Sequence, residues 1–365
     1  MNIHARRRPS AAQGQRGATL IELMIALLLG LVVVAAASGL FLTNKRVYAS
    51  TETINRIQEN SRVSFEIMSR DIREAAAKPC GNSSTTVNLL QSRDSAWWEQ
   101  FGEGLRGYDG NQVSPGTVIG TGVAQRVAGT DAIDLHLVND GDYAVVKHDT
   151  PSATLDLNNR NGLVEGDIVM VCNTEYSLIF QITGFNGTGL LHTGAGSITP
   201  GNCGSEFQFE DPDLSKCSGA SAPNGYCVMG ATSAQCVKSS EDPAALARIQ
   251  TSRWYIGNNA RGGRSLYRAQ LVNRTATLTP NIVDAVEIAE GIGAMQLQYR
   301  SNGSTVWRDA TAVADWTIVN AVRVNFTAEG TEGALSGGYL DGTDGDVLNR
   351  SVSHVVAIRN REGVL

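Results

Sequence analysis

Hydrophobic and polar positions follow three different patterns along the chain. From Leu23 to Leu42, twenty residues pass without a charge (LMIALLLGLVVVAAASGLFL). A helix of that length spans about 30 Å, the thickness of a bilayer's hydrocarbon core. Between Lys45 and Lys78 the pattern becomes amphipathic. Ile54, Ile57, Ser61, Phe65, Met68, Ile72 and Ala75 recur at steps of three or four, while Arg56, Glu59, Arg62, Glu66, Arg70, Arg73 and Glu74 fill the other faces. No proline occurs between Ala18 and Lys78, and Pro79 stops the pattern. Unbroken to that point, the helix is about 90 Å long. Gly30 and Ser38-Gly39 are the places where it is free to bend.

Beyond Pro79 the period changes from 3.6 toward 2 and the composition turns to Gly, Asn, Ser and Thr. Ile133 to Leu137, Met295 to Tyr299 and Val322 to Phe326 alternate as half-buried strands do, and Asp167 to Val171 and Tyr176 to Ile182 read as more deeply buried ones. Gly257-Asn258-Asn259 separates Arg253-Trp254-Tyr255-Ile256 from Ser265-Leu266-Tyr267-Arg268, which predicts a hairpin with a Gly-rich loop. The last strand is expected over Val352 to Arg359. The predicted class is α+β: one long N-terminal helix, transmembrane in its first half, packed on a β-rich head. The expected divisions are 1–17, a leader; 18–42, the apolar half of the helix; 43–79, its amphipathic half; 80–249, a variable β- and loop-rich region holding the cysteines; and 250–365, a C-terminal sheet region.

Length and composition narrow the picture. A chain of 365 residues with 42% apolar residues supplies a core, and 39 glycines favour strands and turns over a helical bundle. Thirty Lys+Arg against 36 Asp+Glu give −6, so no global basic field points to nucleic acid. The local asymmetry matters more. Residues 1–17 carry Arg6, Arg7, Arg8 and Arg16 and no acid, and without them the balance is 26 against 36, or −10. A basic flank before an apolar span keeps the N-terminus cytoplasmic and sends the head outward. The same pattern describes a secretory signal cut after Ala37 in the run Ala35-Ala36-Ala37, which would release a periplasmic protein. Two features oppose that parse. Glu22 stands at the front of the apolar run, where a carboxylate costs about 2–3 kcal/mol, and the helical pattern continues far past Ala37.

The nine residues Arg16-Gly17-Ala18-Thr19-Leu20-Ile21-Glu22-Leu23-Met24 resemble the prepilin N-terminal motif of type IV pilins and type II secretion pseudopilins. The resemblance implies that a dedicated prepilin peptidase cuts between Gly17 and Ala18 and that Ala18 is then N-methylated. It also implies a role for Glu22 in assembly. Four residues from the new amine and on the same helix face, its carboxylate can neutralise that amine in its own chain or in a neighbouring subunit. The C-terminal half is similar to PilW-type minor pilins at Trp254-Tyr255-Ile256-Gly257, Ser265 to Arg268, Trp316, Ala321 to Val324 and Val356 to Arg361, as is the block Ser69 to Arg73 leading into Cys80-Gly81. The resemblance covers 17–81 and about 250–361. It implies a non-enzymatic minor pilin of a type IV pilus, in the priming or tip complex that starts assembly. It implies a single inner-membrane pass before assembly, a periplasmic head and then a place in the pilus. The implied partners are other minor pilins, the major pilin and the peptidase, with no cofactor. A J-type minor pseudopilin of type II secretion is the alternative within the same class.

Six cysteines (Cys80, Cys172, Cys203, Cys217, Cys227 and Cys236) follow the apolar helix, so this topology places them in an oxidising compartment where an even count reads as disulfides. Pairing among the last four is favoured, leaving Cys80 to tie the helix end to Cys172. Other motifs carry less. GNNARGGRS over 257–265 has Gly263 where a phosphate-binding loop needs lysine. Asp341, Asp344 and Asp346 in a Gly-rich loop are a weak calcium candidate without the EF-hand spacing. His136, His148, His192 and His354 are scattered with no Gly-x-Ser-x-Gly elbow beside them. Trp97-Trp98, near Phe101 and Tyr108, are read as buried loop aromatics in preference to an exposed contact patch.

Overall fold

The computed structural model describes residues 17–81, 84–91, 97–99, 101–194, 200–207, 225–234, 236–272, 282–330 and 348–361. The chain divides into two compact units, Met1–Glu52 and Thr53–Leu365. A single helix, α1 (Leu20–Glu74), runs through the division. In the first unit every described residue from Gly17 to Lys45 is exposed, which suits a segment whose partners are lipid or other helices and not its own chain.

The second unit begins with the amphipathic half of α1. Thr53, Ile57, Ser61, Ser64, Met68, Ile72 and Ala75 are buried at steps of three or four. Ile54 does not join this stripe and is 40% exposed. The helix stops at Glu74, before Pro79 is reached. Ala76 adopts a left-handed backbone (φ 59°) and gives its N–H to the carbonyl of His136 at 3.0 Å, so a strand takes the bond that the next helical turn would have used.

Sixteen strands follow among the described residues. They are β1 (Thr85–Asn88), β2 (Leu105–Tyr108), β3 (Ala132–Asp149), β4 (Thr154–Leu157), β5 (Ile168–Cys172), β6 (Tyr176–Gln181), β7 (Gly184–Asn186) and β8 (Gly189–Leu191). After these come β9 (Gly225–Cys227), β10 (Cys236–Ser239), β11 (Ala245–Asn258), β12 (Arg264–Val272), β13 (Ile282–Glu290), β14 (Ile292–Ser301), β15 (Val319–Glu329) and β16 (Asn349–Ala357). An eleven-stranded sheet runs β1-β6-β5-β11-β3-β4-β8-β7, with β2 added on β3, β12 on β11 and β13 on β12. Strand β11 is its hub. It pairs antiparallel with β3, β5 and β12, and the hairpin register sets Trp254 opposite Arg268 and Gly257 opposite Ser265. A second, antiparallel sheet runs β14-β15-β16, and β9 and β10 form a small parallel pair.

The main core joins α1 to both larger sheets: Ile57, Met68 and Ile72 share a cluster with Ile133, Leu135 and Trp254 and with Met295, Leu297, Val322, Val324 and Phe326. Alternate residues of β14 and β15 point inward, as a sheet buried on one face requires. A second core lies around Tyr143, Val169, Leu178 and Phe180, and a third holds Trp97, Trp98, Phe101, Met170 and Ile179. Trp97 and Trp98 are thus core residues. The chain is α+β, a long N-terminal helix followed by a disulfide-containing β head.

Candidate processing and assembly site

Gly17, Ala18 and Thr19 precede α1 and are exposed, with open space around Gly17. Arg6, Arg7, Arg8 and Arg16 lie outside the described residues. Thr19 starts the helix by a reciprocal device. Its backbone N–H and hydroxyl donate to Oε2 of Glu22 at 3.0 and 3.1 Å, and the Glu22 N–H donates back to the Thr19 hydroxyl at 3.3 Å. This is a capping box, in which two orphaned N–H groups of the first turn are satisfied by side chains. Its signature, Thr followed three residues later by Glu, stands in the sequence and marks Thr19 as a third residue of the site beside Ala18 and Glu22. Both capping contacts use the same carboxylate oxygen. Oε1 accepts no hydrogen bond among the described residues, and a carboxylate has acceptor capacity to spare. Glu22 is the one charged residue between Leu20 and Leu42, and α1 is long and apolar enough in this part to cross a membrane.

The head side of the helix is fixed by another acid. Asp71 is buried and accepts from the Trp254 indole N–H at 2.9 Å and from the Ser252 hydroxyl at 3.4 Å, with the Arg268 guanidinium at 3.7 Å. Burial raises its pKa, and the Arg268 charge works against that rise. The bond pins α1 to the centre of β11, the strand that organises the large sheet. Next to it lies a fully buried ion pair. Arg253 donates to both oxygens of Asp134 at 2.5 and 2.6 Å and to the Thr117 hydroxyl at 2.7 Å, and its guanidinium lies 4.2 Å from the centre of the Trp97 ring.

Two disulfides have both partners among the described residues. Cys80, just past the helix, is bonded to Cys172 at the end of β5, and Cys227 is bonded to Cys236 between β9 and β10. Cys203 is also disulfide-bonded. Cys217 lies outside the described residues, as do Asp341, Asp344 and Asp346. Among the described residues no group of three or more His, Cys, Asp or Glu is placed to hold a metal ion. The loop over 257–265 is a hairpin connection organised by Asn259, whose Oδ1 accepts from the N–H groups of Arg261 and Gly263. Arg261 is itself paired with Glu287 and Glu290.

The histidines separate by environment. His136 is buried against the Thr251 hydroxyl at 3.1 Å, and burial, reinforced by the Arg253 charge, depresses its pKa to about 3. His148 and His192 come together with ring centroids 5.3 Å apart around Phe207, while His354 stacks on Phe65 of the helix.

Comparison with known families gives two matches. Residues 253–360 match the model described as Type IV Pilus-assembly protein W, and residues 13–38 match the Prokaryotic N-terminal methylation motif. No curated protein and no solved structure matches the chain. The first match opens at Arg253, runs through the β11–β12 hairpin and the β14–β15–β16 sheet and closes at Asn360. The second contains Gly17, Ala18, Thr19 and Glu22.

Proposed function

We propose that this chain, whose residues 253–360 match the pilus-assembly protein W model and whose residues 13–38 match the N-terminal methylation motif, is a type IV pilus minor pilin and prepilin-peptidase substrate that works without catalysing a reaction, in the complex that primes the pilus and sits at its tip. The leader is removed between Gly17 and Ala18 on the cytoplasmic side, and Ala18 becomes the methylated terminus. The arginine-rich flank fixes a single pass with the head in the periplasm. Cleavage then creates a cation one residue before the helix cap, at the positive end of the helix dipole, where it is poorly stabilised by its own chain.

The observation that supports this reading best is the geometry of Glu22. The carboxylate has one oxygen committed to closing its own helix start and the other open. A neighbouring subunit's Ala18 amine can pair with that open oxygen while the cap stays intact. In an apolar bundle the attraction within such a pair is stronger than in water, and an unpaired charge is costly, so the pair selects the axial register in which the next amine meets Glu22. The head contributes packing surfaces to other minor pilins and to the major pilin.

Mass spectrometry of the mature chain from membranes and from sheared pili tests the reading. A methylated Ala18 terminus in both fractions is expected. A terminus at Ser38, with the apolar segment gone, overturns it.

A further inference from the structure

The head contains a cavity of about 370 Å³, within the range of small-molecule sites, that no step of filament assembly uses. Its charged lining is cationic. Lys78 and Arg361 border it, and among the described residues no Asp or Glu does. His136 also borders it, but burial keeps that ring neutral. Phe101, Met170 and Ile249 supply apolar wall.

Among the described residues neither cation forms an ion pair. The Lys78 ammonium donates to the carbonyl of Ser84 at 2.5 Å, and the Arg361 guanidinium donates to the carbonyls of Trp316, Val319 and Glu103. The carboxylates that Arg361 senses are engaged elsewhere: Asp315 accepts from the Thr317 N–H at 2.8 Å, and Glu103 is paired with Arg106 at 3.0 Å. Lys78 and Arg361 are close enough for their charges to repel. Burial followed by the Arg361 charge lowers the Lys78 pKa, and burial pulls Arg361 down to about 10. Two half-buried like charges held by carbonyls alone are a costly arrangement that an anion relieves. A carboxylate suits both partners, since it accepts from an ammonium and a guanidinium together.

We propose that this cavity binds a small organic anion, with its carboxylate between Lys78 and Arg361 and a short apolar body against Phe101, Met170 and Ile249. The site is independent of the pilus reading, because all of its residues lie in the head.

Isothermal titration calorimetry of the full chain in detergent micelles, with empty micelles as the blank, tests it with hexanoate. Saturable one-to-one binding is expected, with hexanol and inorganic phosphate each at least about tenfold weaker, because the first lacks the charge and the second the apolar body. Lys78→Met should weaken hexanoate at least about tenfold, and Lys78→Arg, which keeps the charge, should hold it within about threefold. Absence of saturable hexanoate binding, hexanol or phosphate binding as tight as hexanoate, or unchanged affinity in Lys78→Met would each overturn the proposal.

Discussion

Replacing His192 with phenylalanine should make the head markedly more tolerant of acid. The His192 side chain is 1% exposed, and its ring stacks on Phe207 with centroids 4.2 Å apart. Neither of its nitrogens has a hydrogen-bond partner among the described residues. Burial first, and the nearby His148 second, hold its pKa well below 6.5. The folded value is therefore the lower one, so the unfolded chain takes up the proton first. The associated stability is fully present above about pH 6.5 and is lost as pH falls. At pH 5 an imidazole that cannot protonate in the native state costs about 2 kcal/mol. His148, held at about 4 by burial, and His136, held at about 3, behave alike, so the three together remove about 6 kcal/mol. Asp131 works the other way. Burial raises it to about 6, and its protonation restores about 1 kcal/mol over the same interval. Burial also raises Asp71, Asp134 and Glu329, which work in the same direction as Asp131, so the loss is at most about 5 kcal/mol, comparable to the whole stability of many domains. Tryptophan fluorescence during urea unfolding of the full chain in detergent, at pH 8 and pH 5, measures it. His192→Phe should shrink the difference between the two pH values by about 2 kcal/mol. Titrations elsewhere cancel in that comparison, so an identical pH dependence in variant and wild type would refute the neutral, buried imidazole.

Three further outcomes are expected. Arg253→Leu strands the buried Asp134 carboxylate and should cost about 3–5 kcal/mol in urea unfolding; adding Asp134→Asn should recover at least about 1 kcal/mol, and no recovery would deny that the pair is coupled. The Cys80–Cys172 bond closes a separation of 92 residues and the Cys227–Cys236 bond one of 9, so chain entropy predicts losses of about 4–5 and about 2–3 kcal/mol when each pair is replaced by serine, and the reverse order of midpoints would contradict that account. Glu22→Ala should leave a processed, membrane-held subunit missing from sheared pili, and wild-type amounts there would defeat the charge-pairing role.

Local pattern made much of this architecture readable in advance, and the exceptions have physical causes. The apolar run and the helical stripe were visible because helix periodicity is a property of neighbouring residues, and Ile57, Ser61, Met68, Ile72 and Ala75 are buried in that phase. Ile54 fell out and Ser64 came in because a stripe of period 3.6 drifts around the helix as it lengthens. The β11–β12 hairpin was legible from its Gly-rich turn, but the parallel pairing of β1 with β6 was not, since distant partners are chosen by packing and leave no periodic trace. Alternation misled most at β3. Ile133-Asp134-Leu135-His136 reads as one wet face and one dry face, yet Asp134 and His136 are as buried as their neighbours. Trp97, Phe101 and Tyr108 cover the second face, so its polar residues are satisfied by Arg253 and Thr251 instead of by water. The capping box is written in the sequence as Thr19-x-x-Glu22, but that spacing acquires its meaning only once the helix is known to start at Leu20.

The distribution of satisfied and unsatisfied groups separates two kinds of failure that substitutions can cause. In the head the acids at Asp71 and Asp134 have named partners, the strands share cores, and disulfides tie the loops. A change at Arg253 or Trp254 should therefore be seen first as lost folding, with assembly failing only as a consequence. The segment from Leu20 to Leu42 is the opposite case. Its apolar side chains are exposed and its single acid keeps an open oxygen, so within one chain there is little for a substitution to break. On the proposed reading lipid fills that need for a stored subunit, but lipid offers Glu22 no cation, whereas a second processed chain brings both apolar surface and an amine. On that reading the pairing of this one carboxylate adds a contribution that helix packing alone does not supply, and conservative changes along the apolar run should be tolerated where a change at Glu22 is not.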